Sequence, residues 1–413
     1  MNSSDSSSQH SGNRLAELST AGLDQIVAQK RILITVGAGG VGKTTTAAAI
    51  GLLGARQGRR TLTMTIDPAR RLATSLGLQD GLDNVPRQMP AQKAQQAGIS
   101  AELFSAMMLD PKRTFDELIE REAPSAEGVT RVMANKLYRE ISTRLAGGQE
   151  YAAMEKLHEL ATSDAYDLLI LDTPPTANAI DFFDAPQKMI NAIDSPTVQL
   201  FLDTYNTGGR FSLGLLGGPA RLIFRRIARF VGGGFLDDVA VFFAEIQAML
   251  AGFRERATRV AELLTQDDVG VIIVTSPQQR AIDEAVQLHQ RLLESRLRSL
   301  AVVVNRVHGC SELTVADHAA LSSSSAPTAE QLEHALTAVP TDQRPTIAAG
   351  LLAAHEKLCQ LSANDQRRID ELRQRCGHEI VYVRVPFFKE DIFDVSGLMQ
   401  AVQYLSGSAQ ALR

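Results

Sequence analysis

The chain has 413 residues, 44% apolar and 22% charged, with 42 Lys and Arg against 47 Asp and Glu for a net charge of −5. That length suits two or three domains, or one large α/β unit with a helical insertion, and the charge balance carries no general nucleic-acid signal. No apolar run approaches the ~18 to 20 residues that cross a bilayer, and the Ser-rich start Met1 to Asn13 has neither a basic nor an apolar leader segment. The expectation is a cytoplasmic protein with a disordered tail and leader helix over 1–27 and a single domain over 28–413.

The apolar run Ile32 to Val36 reads as a buried strand and leads directly into Gly37, Ala38, Gly39, Gly40, Val41, Gly42, Lys43 and Thr44. G-x-x-x-x-G-K-[ST] between strand and helix is a P-loop. Its glycines let the backbone turn several N–H groups onto one cluster of anionic oxygens. Lys43 adds a point charge toward the β and γ phosphates. Thr44 offers a hydroxyl to Mg²⁺, and the helix that follows, from Thr45 to Arg56, aims the positive end of its dipole at a nucleotide. Thr45, in its first turn, joins the expected nucleotide contacts.

Gln57-Gly58 stops that helix, and the β-branched run Thr61 to Ile66 completes a βαβ opening that ends in Asp67-Pro68-Ala69-Arg70-Arg71. Proline directly after the aspartate holds Asp67 at the sheet edge, where a carboxylate orients an attacking water or merely ends a strand. Residues 87–165 read as mostly helical and amphipathic. The next buried strand, Leu168 to Leu171, runs into Asp172-Thr173-Pro174-Pro175-Thr176. An acid at the carboxyl end of a strand beside a P-loop is the Walker B arrangement, in which Asp172 holds Mg²⁺ through a water; a turn-capping aspartate is the plainer alternative. Further strands are expected at Val269 to Thr275, Leu300 to Asn305 and Ile380 to Val385, with a loop-rich insertion over 311–350. Strands separated by helices, without hairpin turns, specify an α/β fold with a mostly parallel sheet covered on both faces, of the P-loop NTPase kind. No internal repeat suggests a duplicated ATPase chain. Cys310, Cys359 and Cys376 fit no zinc spacing and are expected as thiols.

A GGVGKTT loop, a strand ending in TIDPA and another ending in LDTPPT together resemble the ArsA/Get-type ATPases, the family of the arsenite-pump ATPase and the tail-anchored-protein targeting ATPase. The resemblance spans about residues 28–310 and 378–405. It implies a deviant-Walker fold that binds ATP and Mg²⁺ and works as a nucleotide-gated homodimer, with Asp67 as the water-activating switch I aspartate and Asp172 to Thr176 as switch II. Lys43 and Asp67 are then the catalytic candidates, and Thr44 and Asp172 the metal candidates. Asn305 sits where the family reads the adenine edge, although a strand-end turn asparagine is an equal reading. Pro386 and Phe388 belong to the segment that packs against the base, unless the phenylalanines are core. Three departures stand out. Ala38 replaces the family's signature lysine that crosses the dimer, leaving Arg70 or Arg71 as substitutes. Asn178 replaces a switch II histidine. The cysteines that capture a metalloid after switch II, and the Cys-x-x-Cys that shares zinc across the dimer, are missing.

A helical subdomain over about 87–165 and 187–262 would carry any client. Arg221 to Phe230 sets Ile223, Ile227 and Phe230 against four arginines, and after Gly232-Gly233-Gly234 a second stripe runs through Leu236, Val239, Phe242 or Phe243, Ile246, Met249 and Leu250. These helices either roof the core or form a groove for a client helix or a contact with anionic lipid. The rival functions are a ParA/MinD-like positioning ATPase and a nucleotide-dependent interaction protein with little hydrolysis. Asp67→Asn tests the switch I expectation: ATP should stay bound while single-turnover hydrolysis slows ~100-fold or more, and an unchanged rate reduces Asp67 to a strand-end residue.

Overall fold

The computed structural model describes residues 22–66, 71–78, 81–136, 138–139, 142, 148–174, 182–196, 198–199, 233–295, 297–310 and 328–407, with the side chains of 71, 233–241 and 244 excepted. In chain order the elements are α1 (Asp24–Gln29), β1 (Ile32–Val36), α2 (Lys43–Arg56), β2 (Thr61–Thr65), α3 (Arg71–Leu76), β3 (Arg87–Gln88), α4 (Ala91–Gln96), β4 (Phe104–Met108), α5 (Pro111–Glu122), α6 (Ala126–Ala134), α7 (Gly148–Thr162) and β5 (Leu168–Asp172). They continue with α8 (Ala185–Ile193), α9 (Gly233–Leu264), β6 (Val269–Thr275), α10 (Gln279–Glu294), β7 (Ser299–Val307), α11 (Ala329–Ala335), α12 (Arg344–Cys376), β8 (Val381–Pro386) and α13 (Val395–Leu405).

The strands form one eight-stranded sheet in the order β3-β4-β2-β5-β1-β6-β7-β8. Every pairing is parallel except β3 with β4 at the edge. Strand side chains alternate between faces, so each strand feeds two cores. Ile32, Ile34 and Val36 of β1 pack with α5, α7, α9 and α10 residues on one face, while Leu33 packs on the other with α1, α2 and α13. Helix α2 is rich in alanine because it is buried on nearly all sides: Ala47, Ala48, Ala49 and Ile50 are at most 1% exposed. Small side chains bring its axis close to the strands, and its first turn thereby reaches the carboxyl edge of β1. This is the α/β P-loop NTPase fold expected from the strand pattern.

Three segments differ from the sequence reading. Strand β4 lies within 87–165, in parallel register with β2 (Thr61↔Phe104 to Thr65↔Met108). Phe-Ser-Ala-Met-Met contains no β-branched residue and a single strand-favouring side chain, Phe104, so local preference gave only a weak strand signal; burial on both faces makes it one. The stretch expected as loop-rich up to 350 contains α11 and the start of α12, a 33-residue helix, while 311–327 lies outside the described residues. Pro345 sits in the first turn of α12, where a missing N–H is harmless, so it marks a helix start rather than a loop. The cysteine expectation also fails in part: Cys310 and Cys359 are joined by a disulfide, and Cys376 alone is a buried free thiol. Helix α12 folds back beside the end of β7 and brings together two cysteines 49 positions apart. Among the described residues no helix is long and apolar enough to cross a membrane.

The apolar stripe of α9 is buried, with Phe242, Ile246, Met249 and Leu250 inside the core shared with α7 and α8. These four residues cover one face of the sheet core, while the Leu236 and Val239 side chains of the stripe and residues 200–232, with the arginine-flanked stretch, lie outside the described residues. Helix α9 is also tied down by charge. Arg256 Nε donates to Glu155 Oε1 of α7 at 2.7 Å, and Glu155 is only 2% exposed. Arg121 of α5 stands 3.7 Å from the same carboxylate, and Lys156 Nζ donates to Glu117 and Glu159 at 3.0 and 2.9 Å. Arg256→Ala strands a buried carboxylate and should cost about 3 kcal/mol in chemical denaturation, the low end of the usual range because Arg121 remains. The double variant Arg256→Met with Glu155→Gln should recover much of that loss.

Candidate functional site

The P-loop spans the gap between β1 and α2. Gly42, immediately before α2, is left-handed at φ +94°, and a Cβ there would stand 2.3 Å from Asn305 Nδ2. A Cβ on Gly37 would stand 2.0 Å from the Val274 carbonyl oxygen of β6. The loop is therefore wedged between the ends of β6 and β7, and only glycine fits at either point. Lys43 is 6% exposed and donates from Nζ to the Gly37 and Ala38 carbonyls at 2.9 and 2.8 Å, which curls the loop around its ammonium. The Ala38 methyl faces an apolar patch of Val41, Val274 and Ala281.

Asp172 closes the other side. Its register partners are Thr35 on β1 and Thr65 on β2, so three strand ends meet at one level. Thr65 Oγ1 donates to Asp172 Oδ2 at 2.9 Å, and Thr44 Oγ1, the first hydroxyl of α2, donates to the same oxygen at 2.7 Å. Asp172 is fully buried, and Thr173 is pinned by its hydroxyl's 2.8 Å bond to the Thr35 carbonyl. Two oxygen ligands in contact, one anionic, match the donor set of a hard divalent cation and would suit neither a soft ion nor an apolar ligand.

Beside the loop opens a cavity of about 570 Å³, lined by Gly40, Gly42 and Thr45 from the loop and α2, by Asn305 and Arg306 at the end of β7, and by Pro386 to Phe388 at and just past the end of β8, among others. Asn305 Nδ2 donates to the Val41 carbonyl at 2.9 Å, while its Oδ1 accepts from the Arg306 N–H at 2.9 Å. The primary amide has a further donor hydrogen and acceptor lone pair beyond those two bonds. The glycine loop thus borders both the Thr44–Asp172 oxygen pair and a mostly polar and aliphatic cavity that carries three phenylalanines.

Residues 30–200 match the family described as anion-transporting ATPases. Similar chains include ATPase ASNA1 homolog 1 of Paramecium tetraurelia, 28% identical over 66% of this chain and 73% of that protein, and ATPase GET3 of Malassezia globosa, 24% identical over 69% and 76%. An uncharacterized Streptomyces coelicolor protein is 32% identical, over 40% of this chain and 39% of its own length. Over the matched residues the chain is similar to the ArsA/Get-type ATPases.

The structure gathers most of the expected site residues of this ATPase: Gly37 to Thr45 form the loop and first helical turn, Asp172 touches Thr44, and Asn305, Pro386 and Phe388 line the adjoining cavity. Phe388 is also packed against the core and meets Tyr404 edge-on, with ring centroids 5.9 Å apart. Asp67, Arg70 and Asn178 lie outside the described residues, as does the Arg71 side chain. Sequence reasoning missed Thr65, whose only signal is its register opposite Asp172. It also missed Thr74, Ser75, Arg306 and Phe393, which reach the cavity from separate elements. Arg306 is non-glycine yet left-handed at φ 62°, a conformation held by its N–H bond to the Asn305 side chain. Gly42→Ala should abolish nucleotide binding by forcing Asn305 away from the loop, and Lys43→Ala should do so by removing charge-assisted bonds worth ~1.5 to 3 kcal/mol. Titration calorimetry with ATP checks both; wild-type affinity in either variant refutes this placement of the phosphates.

Proposed function

We propose that this ATPase places the ATP phosphates on the Gly37 to Thr44 loop and the adenine in the cavity between Asn305 and Phe388, and that it hydrolyses the γ-phosphate by direct attack of water. The observation that carries this reading is the 2.7 Å contact between Thr44 and Asp172 at the mouth of a glycine-wedged loop. Those two side chains would hold Mg²⁺, which when bound neutralises charge on the β and γ phosphates. Lys43 leaves its loop carbonyls for the phosphate oxygens, the α2 N-terminus adds its dipole, and the Asn305 amide pairs with the adenine edge. Asp67 orients the attacking water from the end of β2.

The active form in this reading is a cytoplasmic homodimer without nucleic acid or thiolate-bound metalloid. Ala38, turned onto an apolar patch, carries no charge to a partner's phosphates, so Arg70 or Arg71 supplies one or turnover depends less on the partner. Nucleotide state reaches a client helix or membrane through the helical layer. Asp172 and Thr173 lead toward α8, α8 packs along α9, and α9 feeds β6, the neighbour of β1. A conformational change there is driven only by a difference in contacts between the nucleotide states. Phosphate release should be Mg²⁺-dependent and absent in Lys43→Ala, and hydrogen exchange across 233–264 should differ between ATP and ADP. Release no faster than in Lys43→Ala would favour the interaction protein. ATP-dependent liposome binding with unchanged exchange in α9 would favour the positioning ATPase.

A further inference from the structure

A second cluster of chemically reactive side chains stands apart from the phosphate loop, at the junction of β7 and α12. Strand β7 ends at Val307, and the chain runs through His308 and Gly309 to Cys310, which is exposed. On α12, His355 and Cys359 are four residues apart and so share one helix face, and both are half-buried. Cys310 lies against that face. One ligand atom from each of Cys310, His355 and Cys359 falls within 4.8 Å of the others.

The frame around these side chains is held by contacts other than the disulfide. His308 is fixed to α12 by Asp365, which is 4% exposed and accepts from the His308 backbone N–H at 2.9 Å and lies 2.8 Å from its Nδ1. The His308 ring stacks on Phe387 with centroids 5.6 Å apart. The approach of Cys310 to α12 is therefore built into the fold independently of the disulfide.

We propose that Cys310, His355 and Cys359, once reduced, form a site for one soft or borderline divalent metal ion, with zinc the best chemical match. Two thiolates and an imidazole are the ligand types that zinc selects over magnesium or calcium. The spacing agrees. Bonds of ~2.3 Å to sulfur and ~2.0 to 2.1 Å to nitrogen, opened to a tetrahedral angle, set sulfur and nitrogen ~3.6 Å apart. His355 Nε2 stands 3.8 Å from Cys310 Sγ and 3.6 Å from Cys359 Sγ. Only the two sulfurs must separate for an ion to enter between three ligands, and the exposed side at Cys310 leaves the fourth position to water. Metal and disulfide are mutually exclusive occupants of the same sulfurs. Reduction gives two thiols, and metal binding converts them to thiolates with release of two protons.

The test uses the full chain under anaerobic conditions. A water-soluble phosphine cleaves the disulfide, taking an oxygen atom from water to become the phosphine oxide while both sulfurs leave as thiols. Cobalt(II) is then titrated in. A thiolate-to-cobalt charge-transfer absorption that saturates at one equivalent, disappears on adding zinc, and is absent from the unreduced chain is the expected result. Cys310→Ser and Cys359→Ser should each abolish it, His355→Ala should weaken cobalt binding by at least ~10-fold, and Cys376→Ser should leave it unchanged. Cys310 is exposed, so its replacement does not disturb the core. A reduced wild-type chain that shows no such absorption overturns the proposal, as does an undiminished signal in Cys310→Ser. Neither outcome bears on ATP hydrolysis, because no nucleotide is present.

Discussion

A buried carboxylate, that of Asp172, sets the condition that the rest of the molecule satisfies. A carboxyl group with no exposed surface is tolerated only where hydrogen bonds replace its lost hydration, and Asp172 Oδ2 accepts them from Thr44 and Thr65, on two different elements. Strands β2 and β5 and helix α2 are thus held to a common level at one edge of the sheet. A one-residue slip of β2 against β5 would turn Thr65 to the opposite face and strand the carboxyl group. The polar arrangement that suits chemistry therefore also specifies register.

The strand order turns that level into a site. Because β1 lies between β5 and β6, with β7 and β8 beyond, the carboxyl ends of four strands surround the phosphate loop. Asp172 comes from one side, the Val274 carbonyl and Asn305 support the loop from the other, and the turn after β8 supplies the aromatic wall. Ligands of open α/β sheets bind at such crevices because loops from strands that cross in opposite directions diverge there. The helices on one face of the sheet form the thick layer containing α9, whose charged and apolar contacts make it part of the same core.

The end of β7 connects two kinds of chemistry within a few residues. Asn305 braces the loop, Arg306 reaches the cavity, His308 couples the cavity wall to α12 through Phe387 and Asp365, and Cys310 meets the histidine and cysteine of α12. A change in spacing between β7 and α12 would be felt at the cavity beside the loop through His308 and Phe387, whose rings are stacked.

Sequence alone determined the features whose physics is local or periodic. The phosphate loop is legible because contiguous residues perform its function, and the central strands because buried parallel strands are continuous apolar runs. Asp172 is legible as an acid ending such a run. Tertiary structure decided what depends on distant neighbours. Phe104 to Met108 is a strand only because β2 offers an open edge and helices cover both faces. Arg344 to Cys376 is a helix whose first-turn proline looked like a loop signal. Thr65, Arg306 and Phe393 acquire site positions from strand register and loop return, which no window of sequence encodes. Cys310 and Cys359 meet because a helix folds back on a strand end, and linear spacing carries no information about that approach.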